Sequence, residues 1–588
     1  MGPCLLGLSS SSNITLADRI EDNMAHPKWG PFVRHAVELE LREKEEMNTY
    51  REVFTDEYTE TRLHMMNGTL SVKYNGDNTV ARFKYRFYVS GFWDKQGVDY
   101  QGSPWSAMPS ASTLKMVEAI ALQLGLFIFR TDVVCCFNQN KPIERTVVCR
   151  LPKGLRKSVQ GREKAWRLLV ALNGLPEATR EWQQTFEQWL LVDLRDRSEE
   201  ESERRRKAGL PQTRFYFVAS HYEESLYVAR LEQGNFVITR IVDDVSGYVT
   251  TEKMWKEFHQ LYKNRFRITG GEKEFKEGMY NGAHVTYDRE GGTLEYRLHS
   301  SIDRLLASVA ADFGELNVSG VPMIPGAHNQ ITVADCPTTP EEIKHCDSFR
   351  KRYRTIVMTI LWMVNYAPEL SFAASFLSRF LQNPGVKMWG AVKVLLGYLK
   401  GRRKRPLIFR RTFGATAVRL RVHLPSRSRV EISTSADAAQ QGDQDGVATI
   451  GYIIKVNDCV IVSRTMKLKR VTIGINEAEL YAQTETARHM MALRLLCAEL
   501  GFRQVDPTPM FCDSRGAVAV AQRRAPTHRT AHINRHFMFI RQVEQDGGGK
   551  LIWLNGKLLE ADINTKALVG PHFKLIRDQL LDGAPLRG

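Results

Sequence analysis

Two adjacent carboxylates, Asp243 and Asp244, stand in the stretch FVITRIVDDVSGYVT, between two apolar runs that read as strands. Taken by itself the pair fits an exposed hairpin turn equally well, since Asp is common there. A third acid, Asp132, ends another apolar run, LFIFRTD. If those strands are neighbours in one sheet, three carboxylates converge at one edge. Such a cluster calls for cations, and hard oxygen ligands suit Mg2+ or Mn2+. Two such ions about 4 Å apart can activate an attacking oxygen and stabilise a leaving one in phosphoryl transfer. A second set follows later in the chain. Asp437 comes after RVEISTSA, Glu479 falls in the first turn of a long helix, Asp513 ends TPMFC, and Asp562 starts the last helix. Any one of these reads as readily as a surface or cap residue. Four in the order Asp, Glu, Asp, Asp, each at an element end, suit a two-metal nuclease.

The elements that must position these acids come next. VRHAVELELREKEEMNTYREVF spaces its charges as i,i+4 pairs on an amphipathic helix, closing an irregular and then helical leader over 1–45. From 46 to 320 strands and helices mix: LFIFRTDVVCCF reads as a buried strand, EATREWQQTFEQWLLVDL as a helix and FVITRIVDDVSGYVT as a hairpin. Over 321–424 a proline-rich connector, VPMIPGAHNQITVADCPTTP, leads into a strongly apolar helical block punctuated by Pro368 and Pro384. After 425 the order resets. RVEISTSAD, ATIGYIIKV, DCVIVSRT, TPMFCD and KLIWL read as strands, and INEAELYAQTETARHMMALRLLCAELG, SRGAVAVAQRR and LEADINTKAL as helices. The expectation is a mixed α/β (α+β) chain: two α/β units joined by a helical bridge.

The 588 residues are too many for one core. Hydrophobic residues at 43% and charged residues at 25% are ordinary for a globular chain, and no apolar run is long enough to span a bilayer, so no membrane partner is expected. The N-terminus has no basic start, and Leu6 stands where a myristoylation motif wants Ser or Thr. A formal charge of +16 points to a polyanionic partner, most often nucleic acid. Basic clusters lie at 204–207, 402–405 and 523–524, the first offset by acids into a solvated insertion. The nine cysteines form no C-x-x-C pair and no zinc-like spacing with histidine, which fits reduced thiols in the cytosol or nucleus.

With these motifs in order, the chain from about Lys84 to Leu568 resembles the reverse transcriptase and ribonuclease H portion of the Pol polyprotein of copia-type LTR retrotransposons. RFKYRFYVSGFWDKQGVDY resembles the family's Lys-Ala-Arg-Leu-Val-Ala-Lys-Gly-Phe segment, TDVVCCF its Asp-Val-x-x-Ala-Phe motif, and RLPKGL its Gln-Pro-x-Gly stretch. ALNGLPEATREW is similar to Leu-Tyr-Gly-Leu-Lys-Gln-Ala-Pro-Arg-x-Trp, IVDDV to Tyr-Val-Asp-Asp, and INEAELYA to Ser-x-Glu-Ala-Glu-Tyr. The helical block, HRTAHINRHFMFIR and EADINTKAL complete the series.

The resemblance implies a fingers–palm–thumb fold plus a ribonuclease H-like α/β domain. It also implies two metal ions, Mg2+ or Mn2+, in each active site. Asp132, Asp243 and Asp244 would hold the polymerase pair, and Asp437, Glu479, Asp513 and Asp562 the ribonuclease pair. Lys84 and Arg86 would grip the incoming triphosphate. Phe137 would crowd the sugar 2′ position, where RNA and DNA differ. Asn173 and Gly174 match the substrate-facing Leu-Tyr-Gly-Leu element. Implied partners are an RNA template, a DNA primer, the RNA–DNA hybrid and dNTPs, in a cytoplasmic virus-like particle or the nucleus.

Departures from the family pattern are Ile241 before Val-Asp-Asp, Asn173 for Tyr, Pro176 and Glu177 for Lys-Gln, Thr179 for Pro, and Ala531 and Asn534 in the histidine-centred segment. Glu177 is expected to place negative charge near a phosphate-handling region. No metal-ligand position is lost. With no protease motif, zinc knuckle or integrase zinc site, the chain is expected to be the C-terminal part of such a polyprotein or a genomic fragment. Two functions follow: a two-activity enzyme, or a catalytically silent nucleic-acid-binding relic.

Overall fold

A computed structural model describes residues 16–17, 19–74, 80–207, 214–231, 234–412, 429–440, 446–522 and 534–582. The basic pair 523–524, Cys4, Ala531, most of the HRTAHIN stretch and the expected boundary at 424/425 lie outside them, as does the side chain of Asn534.

The first unit pairs helix α1 (Gly30–Glu46) with a sheet of β1 (Tyr50–Phe54), β2 (Leu63–Tyr74) and β3 (Val80–Val89). Asn48, at φ 49°, ends α1 in the left-handed conformation, so TYREVF continues as strand rather than helix. From Arg82 on, strand β3 alternates strictly. Phe83, Tyr85, Phe87 and Val89 are buried against Val33, Val37 and Trp166, while Arg82, Lys84, Arg86 and Tyr88 share the outer face.

Helix α2 (Ala111–Leu124) begins at Ser110, whose side chain accepts from the Thr113 amide, and ends at Gly125 (φ 63°). It is buried nearly all round, as ASTLKMVEAIALQL leaves no wide polar face. Strand β4 (Phe127–Val133) follows. Strands β5 (Val148–Arg150) and β6 (Arg162–Leu168) return to the first sheet, which runs β1-β6-β5-β2-β3. Helix α3 (Ala178–Glu187) leads through a π-helical segment to residue 193. Then come β7 (Leu226–Leu231), β8 (Gly234–Ile241), β9 (Asp244–Val249), α4 (Glu252–Arg265) and β10 (Ile268–Gly270). The second sheet is ordered β10-β4-β9-β8-β7. One face packs on Trp182, Phe186, Trp255 and Phe258, the other on α2.

A third sheet joins β11 (Glu277–Tyr280), β12 (Ala283–Asp288) and β13 (Thr293–Arg297) to β14 (Leu407–Arg410), so the strand after the helical block closes a sheet begun before it. Between them lie α5 (Pro340–Met363), opened by a Thr339–Glu342 capping box, α6 (Ser371–Ser378) and α7 (Val386–Arg402).

The last unit holds β15 (Ile432–Ala439), β16 (Thr449–Val456), β17 (Cys459–Lys467), helix α8 (Ile475–Glu499), β18 (Thr508–Cys512), α9 (Arg515–Ala521), α10 (Asn534–Gln545), β19 (Gly549–Trp553) and α11 (Gly570–Asp582). Its sheet is ordered β17-β16-β15-β18-β19, antiparallel through the first three strands and parallel from β15 to β19. That is a ribonuclease H-like topology. EADIN forms a short 3-10 turn rather than the start of a helix, and Glu479 is the fifth residue of α8, one turn beyond its expected place. A continuous apolar core runs from α2 through the helical block into this last sheet.

Candidate active sites

The hairpin β8–β9 pairs Ile241 with Asp244, leaving Val242 and Asp243 as a two-residue loop. Val242 sits at φ 55°. A β-branched residue there carries strain of about 1–2 kcal/mol. Two bonds hold the loop: Trp182 Nε1 donates to the Val242 carbonyl at 2.6 Å, and the Val133 amide to the Asp243 carbonyl at 2.9 Å. Asp244 stands directly across from Asp132 on β4, so their side chains share one face. The neighbouring-strand condition raised by the sequence is met.

Neighbouring acids raise two of these carboxyls. Burial first, then Asp243 and Asp132, push the Asp244 carboxyl up to about 6. Partial burial and Asp243 likewise raise Asp132, against the pull of Lys84, Arg86 and Arg82. Burial, then Arg86 and Arg82, lower Lys84. The outer face of β3 therefore brings three cations to this edge. Arg82 went unmarked in the sequence, although its i, i+2 spacing with Lys84 and Arg86 signals a shared face.

Phe137 lies in a 3-10 turn (Cys136–Gln139), half-buried against the cores of both the first and second sheets. Gly174 (φ 91°) lies against the end of β3: a Cβ there would fall 2.1 Å from the Val89 carbonyl, and the Val89 amide donates to the Asn173 carbonyl at 2.7 Å. This pair positions the strand through its backbone. Glu177 adds no free charge, contrary to expectation. Arg145 Nε donates to its Oε1 at 2.7 Å and, through Nη2, to Asp94 at 2.7 Å, which also meets His64 Nε2 at 2.8 Å.

The second cluster is tighter. Among the described residues, Asp437, Asp513 and Asp562 bring ligand atoms within 4.8 Å of one another, as do Glu479, Cys512 and Asp513. Asp132, Asp243 and Asp244 make no such group and form a more open site. Burial raises Glu479 to about 9, reinforced by Asp437 and Asp513. Burial also raises Asp437, to about 7, with Lys566 opposing and Asp562 adding to it. Asp513 is raised by burial and Asp437. The Thr565 hydroxyl donates to Asp437, and Lys566 Nζ lies 2.9 Å from Asp562 Oδ1 and 3.7 Å from Asp437 Oδ2. His572 Nε2 is 3.6 Å from Asp562, and Cys512 Sγ donates to Glu479 at 3.9 Å. Sequence reading missed Thr565, Lys566, His572 and Cys512. The i+3 and i+4 offsets of Thr565 and Lys566 from Asp562 were the available signal.

Residues 67–203 match the family model described as reverse transcriptase (RNA-dependent DNA polymerase). The retrovirus-related Pol polyprotein from transposon TNT 1-94 of Nicotiana tabacum is 25% identical over 95% of this chain and 38% of its own length. The chain is a homologue of copia-type transposon Pol polyproteins. That from transposon RE1 of Arabidopsis thaliana is 25% identical over 85% of this chain and 30% of its own length. The chain thus spans about a third of the length of these relatives. Among solved structures, the foamy viral protease-reverse transcriptase in complex with RNA/DNA hybrid aligns over 88% of this chain and 53% of its own, at 9% identity and a TM-score of 0.40. The match to the reverse transcriptase family model thus falls on residues 67–203, ahead of the last unit with its ribonuclease H-like sheet order. Of the chain's departures, Ile241 pairs with Asp244 across the hairpin, Glu177 is held by Arg145 and the Asn173 carbonyl accepts from Val89, while both acidic sets are complete.

Proposed function

We propose that the chain is an RNA-directed DNA polymerase with ribonuclease H activity, copying an RNA template from a DNA primer with dNTPs and cutting the RNA of the resulting hybrid. The observation that carries this reading is the Asp132–Asp244 cross-strand pair beside Asp243, on the same chain as the buried Asp437–Asp513–Asp562 cluster.

Divalent cations fit both sites: the carboxyls of Asp244, Asp437 and Glu479 are held high by burial and by the acids beside each of them, which a bound cation would relieve. Asp132, Asp243 and Asp244 would hold two at the polymerase site, and Asp437, Glu479, Asp513 and Asp562 two at the nuclease site. When bound, Mg2+ or Mn2+ supplies charge neutralisation and activation of the attacking oxygen. The chain's own residues supply placement. Arg82, Lys84 and Arg86 would bind the triphosphate, and Phe137 would select against a ribose 2′-OH. Trp182 holds the acidic hairpin still. The primer 3′-oxygen would bond to the α-phosphorus as pyrophosphate leaves.

The test is primer extension on an RNA template, comparing the wild type with Asp243→Asn, alongside hybrid cleavage by Asp437→Asn. Extension lost in the first variant and cleavage lost in the second are the expected results. Tight hybrid binding with neither activity in the wild type would leave the silent binding relic as the account.

A further inference from the structure

The segment 91–108 presents large apolar side chains to solvent. Phe92 is 85% exposed, Trp93 67%, Val98 77% and Trp105 60%. Exposed aromatics this dense are unusual away from a binding surface. The segment is nevertheless fastened. Arg62 Nη1 donates to the Trp93 carbonyl at 3.1 Å, and Arg180 Nη1 to the Ser103 carbonyl at 2.9 Å. Gln183 Oε1 accepts from the Ser106 hydroxyl and the Ala107 amide, each at 2.9 Å. Arg180 and Gln183 flank Trp182 on α3, the residue that holds the Val242 carbonyl. One helix therefore anchors both the aromatic strap and the acidic hairpin.

Strand β3 leads to the same place. Its outer face carries Arg82, Lys84 and Arg86, then Tyr88, and the strap starts where the strand ends. The strap also lies among charged side chains. Lys95 and Arg62 are exposed; Arg62 Nη1 also lies 3.8 Å from the buried Asp94 carboxylate, which Arg145 and His64 hold, and Asp99 accepts from the Lys95 amide. Exposed aromatic faces that continue from the basic face of β3 suit one occupant best. Bases stack on the rings while phosphates meet the cations, with little dependence on sequence.

We propose that Phe92, Trp93 and Trp105 form a stacking platform for the single-stranded part of the template beside the polymerase site, a proposal that rests on the polymerase reading above. Affinity is measured without dNTPs, for an RNA–DNA hybrid bearing a long single-stranded template overhang and for the same hybrid blunt-ended. The proteins are the wild type and Trp93→Ala/Trp105→Ala. Both side chains are exposed, and melting temperature checks that the fold is kept. The overhang is expected to tighten binding by the wild type about tenfold or more, and the double variant to lose that gain while binding the blunt hybrid as before. An overhang that adds nothing, a gain that survives in the variant, or a wild-type dimer that the variant abolishes would each overturn the platform. Single-stranded RNA alone, followed by tryptophan quenching, separates the two readings. Quenching without primer extension would fail only the polymerase; extension without quenching or overhang dependence would fail only the platform.

Discussion

Glu479 is the most perturbed carboxyl of the second acidic cluster, 3% exposed and pushed up to about 9 by burial, Asp437 and Asp513. Its folded value is raised, so the sign of its effect on stability is fixed. Below the ordinary value of about 4.5 both folded and unfolded states hold the proton and the group is neutral to folding. As pH rises past that point the unfolded chain ionises first, and stability falls until the folded value is reached. At pH 7.5 the gap of about three pH units corresponds to about 4 kcal/mol at 1.36 kcal/mol per unit. Asp437 titrates in the same field, so about half of that belongs to the pair rather than to Glu479, leaving about 2 kcal/mol. Glu479→Gln should therefore stabilise the metal-free protein by about 2 kcal/mol at pH 7.5 and by less than about 1 kcal/mol at pH 5. Urea unfolding in EDTA at the two pH values measures this. Saturating Mg2+ should reverse the order, because the cation stabilises only the protein that keeps its carboxylate ligand, and hybrid cleavage should be lost. A variant less stable than wild type in EDTA at pH 7.5, or a difference that ignores pH, would refute the electrostatic account of the cluster.

Two other consequences are open to measurement. Arg402 and Glu369 form a buried ion pair in the helical block, with Arg402 Nη2 also donating to the Tyr366 carbonyl at 3.0 Å. Arg402→Met strands Glu369 and should cost about 3–5 kcal/mol, whereas Arg402→Met with Glu369→Met should recover most of it in thermal melts. On β3, Arg82→Ala and Arg86→Ala should each raise KM for dNTPs about tenfold while moving kcat less; an unchanged KM would remove the stripe from triphosphate binding.

Much of this was legible in the sequence because it is written in local patterns. The period-2 run RFKYRFYV declares which side chains of β3 are buried and which form the basic face. The apolar stretches around VDD declare a hairpin, and the strand and helix order after residue 425 declares the last unit. Local pattern failed where conformation depends on distant partners. TYREVF extends the charged helix on paper, but β1 forms because β6 is there to pair with it. EADIN carries helix-forming residues, yet it tightens into a 3-10 turn that packs on β15 and β16, where Asn564 Nδ2 donates to the Tyr452 carbonyl at 3.1 Å. Glu177 carries an unbalanced charge until folding brings Arg145, remote in sequence, to within 2.7 Å.

By itself, then, the sequence determined the residue types at both sites, the strand ends that carry them and the basic face of β3, since side-chain chemistry and periodicity are local properties. Only the tertiary structure decided which acids meet. Asp132 and Asp244 face each other because β4 and β9 pair in that register, and Asp437 and Asp513 come within 4.8 Å because β15, which carries the first, and β18, which leads into the second, run parallel. Registers and crossovers are set by the burial of whole faces, a property of the folded chain that no single stretch contains.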